Sequence, residues 1–350
     1  MAKLKFGNLT YISEKPYELN KGIRIEYETP IPVELHKFYS PSNYSFQAIT
    51  ESKFYCSHPY QFNDITDSNP LSFNFDNLSF EDYKPLFQNE LNDEELKELY
   101  VKDKETKFSA FRNLHFSLIT QKLGTICLTS DEMNNLMWGH YSSDSGFRIK
   151  FDTQKLLESI NNINDLNCLI FPINYIEDKL HIDVNKLGFH LPLLVDISTK
   201  IKHWQYENEW RIVISKNDMN VPHSLITPHL IDYTGKDDRF IKYDPESILE
   251  IVFGMNFFNG TNVESIQSIS NTENHITIKN KNLSDFLDFV SDNLQEKMVH
   301  AGLFIDDKES YFEGTAPIKR SIEKIEIKKI DKNIFSLIRT NPGVIRTNFN

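Results

Sequence analysis

Short strand-like segments and longer helix-like segments alternate along this chain at irregular intervals. Apolar and alternating patterns predict strands at Leu35–Tyr39, Lys53–Ser57, Gly124–Thr129, Gly146–Phe151, Leu169–Tyr175, Glu209–Ile214 and Ile248–Phe253. Helical periodicity predicts helices at Phe80–Leu99, Thr106–Lys122, Asn134–Tyr141 with Asp131 as cap, from Thr153 onward, Leu191–Trp204 and Ser284–Met298. We therefore expect an α+β fold in which helices flank a mixed, largely antiparallel sheet, rather than a doubly wound parallel sheet.

The composition excludes several classes of protein. The 350 residues are 39% hydrophobic and 25% charged, as in globular proteins. No apolar run approaches the roughly 20 residues that a membrane-spanning helix needs, and the first residues do not resemble a secretory signal. Cys56, Cys127 and Cys168 lie far apart in the sequence, which disfavours disulfide frameworks and thiolate zinc sites. We expect a cytoplasmic protein with no membrane contact.

Charge and composition divide the chain into three predicted parts. They are an N-terminal arm or edge hairpin (1–33), an α+β core domain (34–260) and a C-terminal extension (261–350) with one helix, a strand at Ile322–Ile330 and an irregular end. The net charge is −12, but residues from Lys319 onward carry +5 and residues 1–318 carry −17. This balance excludes a protein that coats nucleic acid. The basic end could bind a partner such as an antitoxin, contact nucleic acid, or fold back onto the acidic body.

The first segment with functional residue types is Leu35–Tyr39. On a strand, His36 and Phe38 face one side while Lys37 and Tyr39 face the other. A lysine beside an aromatic ring could hold a phosphate or a nucleotide. The alternative is an ordinary edge strand with Lys37 in solvent.

A second segment, Phe54–Asp67, contains Tyr55, Ser57 and two aspartates three residues apart. The spacing of Asp64 and Asp67 suits a helix cap or a metal. Because the segment has no glycine-containing calcium loop, capping is the preferred interpretation.

The third segment runs from Asn135 to Tyr141 and precedes a serine-rich loop. A short helix that exposes Trp138, His140 and Tyr141 could stack a planar ring and hydrogen-bond to its edge. Alternatively, Trp138 and Tyr141 belong to the core and His140 hydrogen-bonds to the backbone.

The fourth segment, Trp204–Arg211, is the most suggestive one. If it is extended, Glu207, Glu209 and Arg211 share one face. Two carboxylates and an arginine that lead into the apolar strand Ile212–Ile214 are expensive to bury without a partner or a purpose. We therefore expect at least one glutamate to be functional, although a surface ladder in which Arg211 neutralises Glu209 is the alternative.

Taken in order, these segments resemble the bacterial domain-of-unknown-function family numbered 2971, over roughly residues 34–254. The residues that carry the resemblance are Lys37-Phe38, Ser57-His58-Pro59, Phe62-Asn63-Asp64, Asp67, Leu136–Tyr141, Gly146–Ile149 and Trp204–Arg211, with Lys200 or Lys202 as the preceding lysine. The chain departs from the family pattern at Ile65 and Thr66, and at Ser145 before Gly146. The family implies no established activity.

The order of these segments is also similar to the layout of ADP-ribosyltransferases, and this second resemblance implies a mechanism. NAD would be the substrate, Glu209 or Glu207 would stabilise the developing positive charge, and Tyr141 would stack the nicotinamide. The other predicted NAD-binding residues are Lys37, His36, Tyr55, Ser57, Trp138, His140 and Arg211. Such an enzyme could be a toxin or an antiviral defence effector that modifies protein or nucleic acid.

Two other classes of function remain open at this stage. A non-catalytic module could use Trp138, Tyr141 and the Glu207/Glu209 face to bind a ligand or a partner. A metal-dependent nuclease could use Asp64, Asp67 and Glu209. The sequence has no glycine-rich phosphate loop, nucleophile elbow or His-Glu-x-x-His motif, which disfavours NTPases, serine hydrolases and zinc proteases.

Overall fold

The fold is described by a computed structural model that covers residues 2–14, 23–64, 66–69, 72–84, 91–109, 112, 121–178, 181–183, 190–216, 219, 238–259, 262–305 and 318–339. Its first ten strands are β1 (Ala2–Phe6), β2 (Leu9–Ser13), β3 (Ile23–Tyr27), β4 (Glu34–Tyr39), β5 (Lys53–Tyr55), β6 (Phe73–Asn74), β7 (Leu123–Thr129), β8 (Phe147–Asp152), β9 (Asn167–Pro172) and β10 (Asn174–Ile176). The others are β11 (Ile182–Asp183), β12 (Thr199–Ile201), β13 (Glu209–Ser215), β14 (Phe240–Lys242), β15 (Ile248–Phe253), β16 (Val263–Ser268), β17 (Glu273–Ile278), β18 (Met298–Ile305), β19 (Ile318–Asp331) and β20 (Ile334–Arg339).

The helices are α1 (Asn43–Thr50), α2 (Phe80–Tyr83), α3 (Asp93–Glu105), α4 (Asn135–Met137), α5 (Thr153–Asn161), α6 (His190–Ile197) and α7 (Lys281–Asn293). Short 3-10 helices occur at Pro59–Gln61, Lys202–Glu207, Pro245–Ser247, Phe257–Asn259 and Gln295–Lys297, and a π-helical turn follows α4 at Trp138–Ser142. Helices combined with mainly antiparallel strands confirm the predicted α+β class. None of the helices in the described part of the chain has the length and apolar composition needed to span a bilayer.

Several predicted elements differ from those observed, and local capping explains two of them. The predicted helix Phe80–Leu99 is wrong, because α2 ends at Tyr83 and Asn92 begins α3 with a capping box to Glu95. The predicted cap Asp131 is also wrong. The Asp131 carboxylate accepts a hydrogen bond from the Met133 amide, and the side chain of Asn134 caps α4 instead.

Two long predicted helices have other bounds in the structure than expected. The predicted helix Leu191–Trp204 is α6 followed by β12 and a 3-10 helix, so it is wrong beyond residue 197. The predicted helix Thr106–Lys122 does not begin at Thr106, because Lys107 and Phe108 are left-handed. Most of its remaining residues lie outside the described part of the chain.

The described chain forms two compact units, each built from separated stretches of sequence. Unit 1 contains residues 1–31, 55–127 and 161–240, and unit 2 contains residues 32–54, 128–160 and 241–350. The predicted arm, core and extension follow the chain in order, so they do not coincide with these units. The three-part division stays a prediction.

Unit 1 packs small sheets around an aromatic and aliphatic core. In chain order β1, β2 and β3 form an antiparallel sheet, β13 pairs antiparallel with β9, and β10 pairs parallel with β12. The turn between β1 and β2 uses Gly7 at φ +57, where a Cβ would lie 2.6 Å from the Asn174 side chain. All seven residues of β13 are buried, so its polar residues require internal partners.

Unit 2 contains a long sheet with strands in the order β16-β17-β20-β19-β18-β15-β8-β4. Neighbouring strands are antiparallel except β15 and β18, which are parallel. Phe46 of α1 stacks on Phe147 of β8 and on Phe286 of α7, with ring centroids 6.2 and 5.0 Å away. These rings bury the helices against the sheet.

The basic end of the chain belongs to unit 2 and is more regular than predicted. Strand Ile322–Ile330 is confirmed within β19, and residues 334–339 of the expected irregular end form β20 instead, while residues 340–350 lie outside the described part of the chain. Lys329 pairs with Asp288 of α7 at 2.5 Å, and Arg339 pairs with Glu323 at 2.5 Å. Part of the basic charge is therefore neutralised by acidic residues of the same unit.

Two glycines of the Trp138–Gly146 segment have opposite packing environments. A Cβ on Gly146 would lie 1.9 Å from the Tyr39 carbonyl oxygen, a backbone atom that cannot move aside. A Cβ on Gly139 would meet no atom within 4 Å. Gly146 is thus required by packing in unit 2, whereas Gly139 is not.

We expect Gly146→Ala to lower the free energy of unfolding by about 3 kcal/mol, because the added methyl overpacks a backbone contact. Gly139→Ala is the matched control and should raise it by about 0.5–1 kcal/mol, because alanine favours helical conformations. Urea unfolding measures both changes. A Gly146→Ala variant as stable as the wild type would contradict the packing described here.

Candidate functional site

The backbone between β12 and β13 brings two glutamates to one lysine. Residues Lys202–Glu207 form a 3-10 helix, and Asn208 follows in the left-handed conformation at φ 42. Asparagine tolerates this conformation better than most residues. Glu207 therefore lies outside the strand, which corrects the extended conformation considered from sequence, whereas Glu209 and Arg211 share a face of β13 as predicted.

Arg211 is the centre of this site. Its Nη1 and Nη2 donate to the two carboxylate oxygens of Asp67 at 2.9 and 2.5 Å. Its Nε donates to Glu209 at 2.7 Å, and Nη1 also donates to the Ile197 carbonyl at 2.6 Å. The side chain is 1% exposed. This bidentate geometry fits guanidinium and carboxylate closely and ties three separated parts of unit 1 together.

Lys200 completes the site from β12. Its Nζ lies 2.6 Å from Glu207, 3.2 Å from Glu209 and 3.8 Å from Asp67. We call the five side chains Asp67, Lys200, Glu207, Glu209 and Arg211 the charge cluster. Each of these side chains is 7% exposed or less.

The charge cluster contains three carboxylates and two cations, so its formal charge is −1 when all groups are ionised. Burial alone would raise the pKa of Glu209, but Arg211 and Lys200 outweigh it and lower that pKa to about 2. Burial raises the pKa of Asp67 despite its contact with Arg211. The site thus holds Glu209 ionised and has one carboxylate more than its own cations neutralise.

Aromatic rings cover the charge cluster. The Lys200 ammonium lies 4.8 Å from the Trp204 ring centre, and the Arg211 guanidinium lies 4.6 Å from that of Phe62. Trp204 and Tyr206 are partly exposed neighbours, with ring centres 6.0 Å apart. The site therefore presents an accessible aromatic pair directly above buried charges.

Three contacts to Glu209 and Arg211 were not predicted from sequence. The Tyr175 hydroxyl accepts a hydrogen bond from the Glu209 amide at 2.9 Å, and burial raises the pKa of this phenol. The Cys127 thiol hydrogen-bonds to Glu209, and Phe62 lies over Arg211. All three residues are distant in sequence from β13, so no local pattern indicated them. Asp67 was singled out, but as a cap or metal ligand.

The other predicted residues of unit 1 have structural contacts. The Tyr55 hydroxyl donates to Gln61 at 3.2 Å, and the Tyr55 ring packs against Phe240. Ser57 exchanges two backbone hydrogen bonds of 2.9 Å with Thr125. Roles for Tyr55 and Ser57 in NAD binding stay predictions.

The remaining candidates belong to unit 2. Trp138 is fully buried and packs edge-on against Phe38 at 5.0 Å, so the prediction that it is exposed to stack a ligand is wrong. His140 is exposed and Tyr141 partly exposed on the π-helical turn. Lys37 lies 5.6 Å from the Tyr39 ring centre, on the same strand face as predicted. An NAD site that combines Lys37 and Tyr141 with Glu209 stays a prediction.

His36 is buried in unit 2 near two cations. Burial, Arg148 and Lys150 lower its pKa to about 3. Arg148 is itself fully buried and pairs with Glu250, while Lys150 lies 3.3 Å from Glu132. A neutral imidazole in this position does not supply positive charge for a phosphate.

The described residues contain no group of three or more His, Cys, Asp or Glu side chains arranged to hold a metal ion. Asp64 accepts hydrogen bonds from the Thr66 amide and hydroxyl at 2.8 and 2.7 Å, as a turn-forming residue does. Asp67 and Glu209 are bound by Arg211. The arrangement therefore offers no support for the metal-dependent nuclease.

We expect Arg211→Leu to lower the free energy of unfolding by about 3–5 kcal/mol, because Asp67 and Glu209 would remain buried without their cation. Lys202→Met is the matched control. Lys202 pairs with Glu177 on the surface, where the two side chains are 55% and 72% exposed, so its loss should change stability by less than about 1 kcal/mol. Denaturant unfolding of both variants tests this. Equal and small losses of unfolding free energy in the two variants would contradict the conclusion that Arg211 holds the cluster together.

The His36 environment also predicts a pH dependence. The imidazole stays neutral in the folded protein down to about pH 3, whereas the unfolded chain takes up a proton below about pH 6.5. The contribution of His36 to the free energy of unfolding is fully present above pH 6.5 and is lost as the pH falls toward about 3. His36→Leu should make the slope of unfolding free energy against pH shallower by up to about 1.4 kcal/mol per pH unit between these values.

His203 offers the matched control, because its side chain is exposed and the same substitution there leaves the buried imidazole of His36 in place. His203→Leu should leave the slope unchanged. If His36→Leu also leaves it unchanged, the imidazole is not held neutral.

Comparison with known proteins supports part of the sequence analysis. Residues 137–212 match the sequence profile of the family described as protein of unknown function (DUF2971). No curated protein and no solved structure matches the chain. The matched residues include Met137–Tyr141 of the Leu136–Tyr141 motif and all of Trp204–Arg211. The predicted resemblance to this family is thereby confirmed over residues 137–212.

Proposed function

We propose that the protein is an ADP-ribosyltransferase-like enzyme that uses NAD as its substrate and transfers ADP-ribose to a protein or nucleic acid. In this reaction the bond between ribose C1′ and the nicotinamide nitrogen breaks, and its electrons stay with nicotinamide. A nucleophile of the target then bonds to C1′ and loses its proton. The ribose passes through a state with oxocarbenium character, which a carboxylate stabilises.

One observation carries this proposal. The three carboxylates and two cations of the charge cluster lie beneath the partly exposed rings of Trp204 and Tyr206. The nicotinamide ring of NAD is planar and positively charged, so it matches both the aromatic surface and the charge. Positive charge moves from this ring to the ribose during bond cleavage, and the same carboxylates stabilise the positive charge on the ribose.

The geometry suggests a role for each residue of the site. Glu207 and Glu209 are the candidate carboxylates, and Lys200 positions both of them through contacts of 2.6 and 3.2 Å. Arg211 holds Glu209 and does not itself need to contact NAD. Trp204 and Tyr206 are the partly exposed rings beside Lys200 that are candidates for stacking. The sequence-based assignment of stacking to Tyr141, and of phosphate binding to Lys37, stays part of the proposal.

The deep burial of the charge cluster favours a second candidate, a binding module without catalysis. A catalytic carboxylate must reach its substrate, yet Glu207 and Glu209 are only 3% and 4% exposed. In such a module, the cluster would shape the surface that carries Trp204 and Tyr206. Toxin or antiviral activity, and a partner or antitoxin at the basic end, are consequences of the enzyme proposal that need separate tests.

The test of the enzyme proposal is nicotinamide release from NAD by the 350-residue chain, measured by chromatography with and without a mixture of protein and RNA acceptors. Glu207→Gln keeps the shape of the side chain and removes its charge, so it should reduce the rate by about 100-fold or more. Glu177→Gln is the matched control, because Glu177 is exposed and pairs with Lys202 at the surface. It should retain the wild-type rate.

Thermal unfolding of each variant separates loss of chemistry from loss of fold. Stabilisation by NAD without nicotinamide release would support the binding module. Absence of both release and stabilisation would contradict NAD as the ligand. Cleavage of nucleic acid that depends on magnesium or manganese would instead support the nuclease.

A further inference from the structure

Strand β16 forms one end of the unit 2 sheet. Among the residues that the structure describes, it pairs with β17 alone, and residues 264–268 are all exposed. Ile266 is 38% exposed, although it lies opposite the fully buried Ile276 of β17. The hydrophobic layer of unit 2 therefore continues to this edge, and no described residue covers it there.

The edge is held firmly in strand geometry. At one end, the Lys279 amide donates to the Asn262 carbonyl at 2.9 Å. At the other, the Ile269 amide donates to the Glu273 carbonyl at 3.0 Å in the tight connection to β17. A preformed edge binds another strand with little additional ordering of its own backbone.

The sequence of β16 has few of the features that normally protect a free edge. Val263–Ser268 contains no proline and no lysine, and its single charged residue is Glu264 beside an irregularity in the pairing with β17. Exposed edges that lack such protection pair with other chains. Ile269, at the end of the strand, adds a second exposed branched side chain at 46%.

We propose that β16 pairs antiparallel with β16 of a second copy of this chain to form a symmetric dimer. If Ile266 lies opposite the partner's Ile266, the two hydrophobic layers join across the symmetry axis. Glu264 then lies opposite Ser268, and Ser265 opposite Gln267, so no like charges meet. Because the strand is compatible with itself in this way, a second copy is a better occupant than an acidic or basic peptide.

The mass of the 350-residue chain in solution tests this proposal, measured by sedimentation over a range of concentrations. The wild type should be a dimer, and Ile266→Lys should weaken dimerisation by at least about tenfold, because a lysine would lie opposite a lysine at the axis. Ile330→Lys is the matched control. Ile330 is also exposed, at 49%, but it lies on β19, at the irregularity in the pairing with β20, and not on β16. It should leave the dimer unchanged.

Disulfide formation tests the register independently of dimer strength. Ile266→Cys should give a covalent dimer under mild oxidation, and Ile330→Cys should not. A wild type that is monomeric at all concentrations would overturn the proposal. Binding of a foreign extended peptide at this edge by such a monomer would not rescue it. A dimer that neither Ile266 variant affects would overturn it as well.

Discussion

The contact between Arg211 and its two carboxylate partners is the interaction on which unit 1 depends. A guanidinium that is 1% exposed can be accommodated only if all its charge is paired, and Arg211 achieves this with Asp67, Glu209 and the carbonyl at the end of α6. These partners come from a loop, a helix and a strand that are distant in sequence. Their joint position fixes where β13 begins and therefore where Glu207, Lys200 and Trp204 lie.

The same contact gives the site its chemical character. Arg211 binds Asp67 and Glu209, and Lys200 contacts Glu207 as well as the second oxygen of Glu209. A purely structural ion-pair network needs equal numbers of carboxylates and cations. This cluster has three carboxylates, two cations and a partly exposed aromatic pair above them. The proposal of a site for a cationic ring rests on this combination. It also explains why stability and activity should respond differently to changes at Arg211 and Glu207.

The sequence predicted those features that depend on local physics. Strand β15 was predicted at its observed bounds, and the cost of burying Glu209 and Arg211 correctly indicated that these residues need charged partners. Features that depend on distant contacts were missed. Nothing near Asp67 in the sequence shows that Arg211 binds it, and Tyr175 and Cys127 have no recognisable motif. Trp138 was misjudged because burial against Phe38 depends on β4, about a hundred residues earlier in the chain.

The position of bound NAD is the most direct test of the account, and a crystal structure of the complex would determine it. The account predicts the nicotinamide ring stacked on Trp204 or Tyr206, with the ribose hydroxyls within hydrogen-bonding distance of Glu207 or Glu209. NAD bound away from the charge cluster, or no binding at millimolar concentration, would contradict the central claim that this cluster is a substrate site.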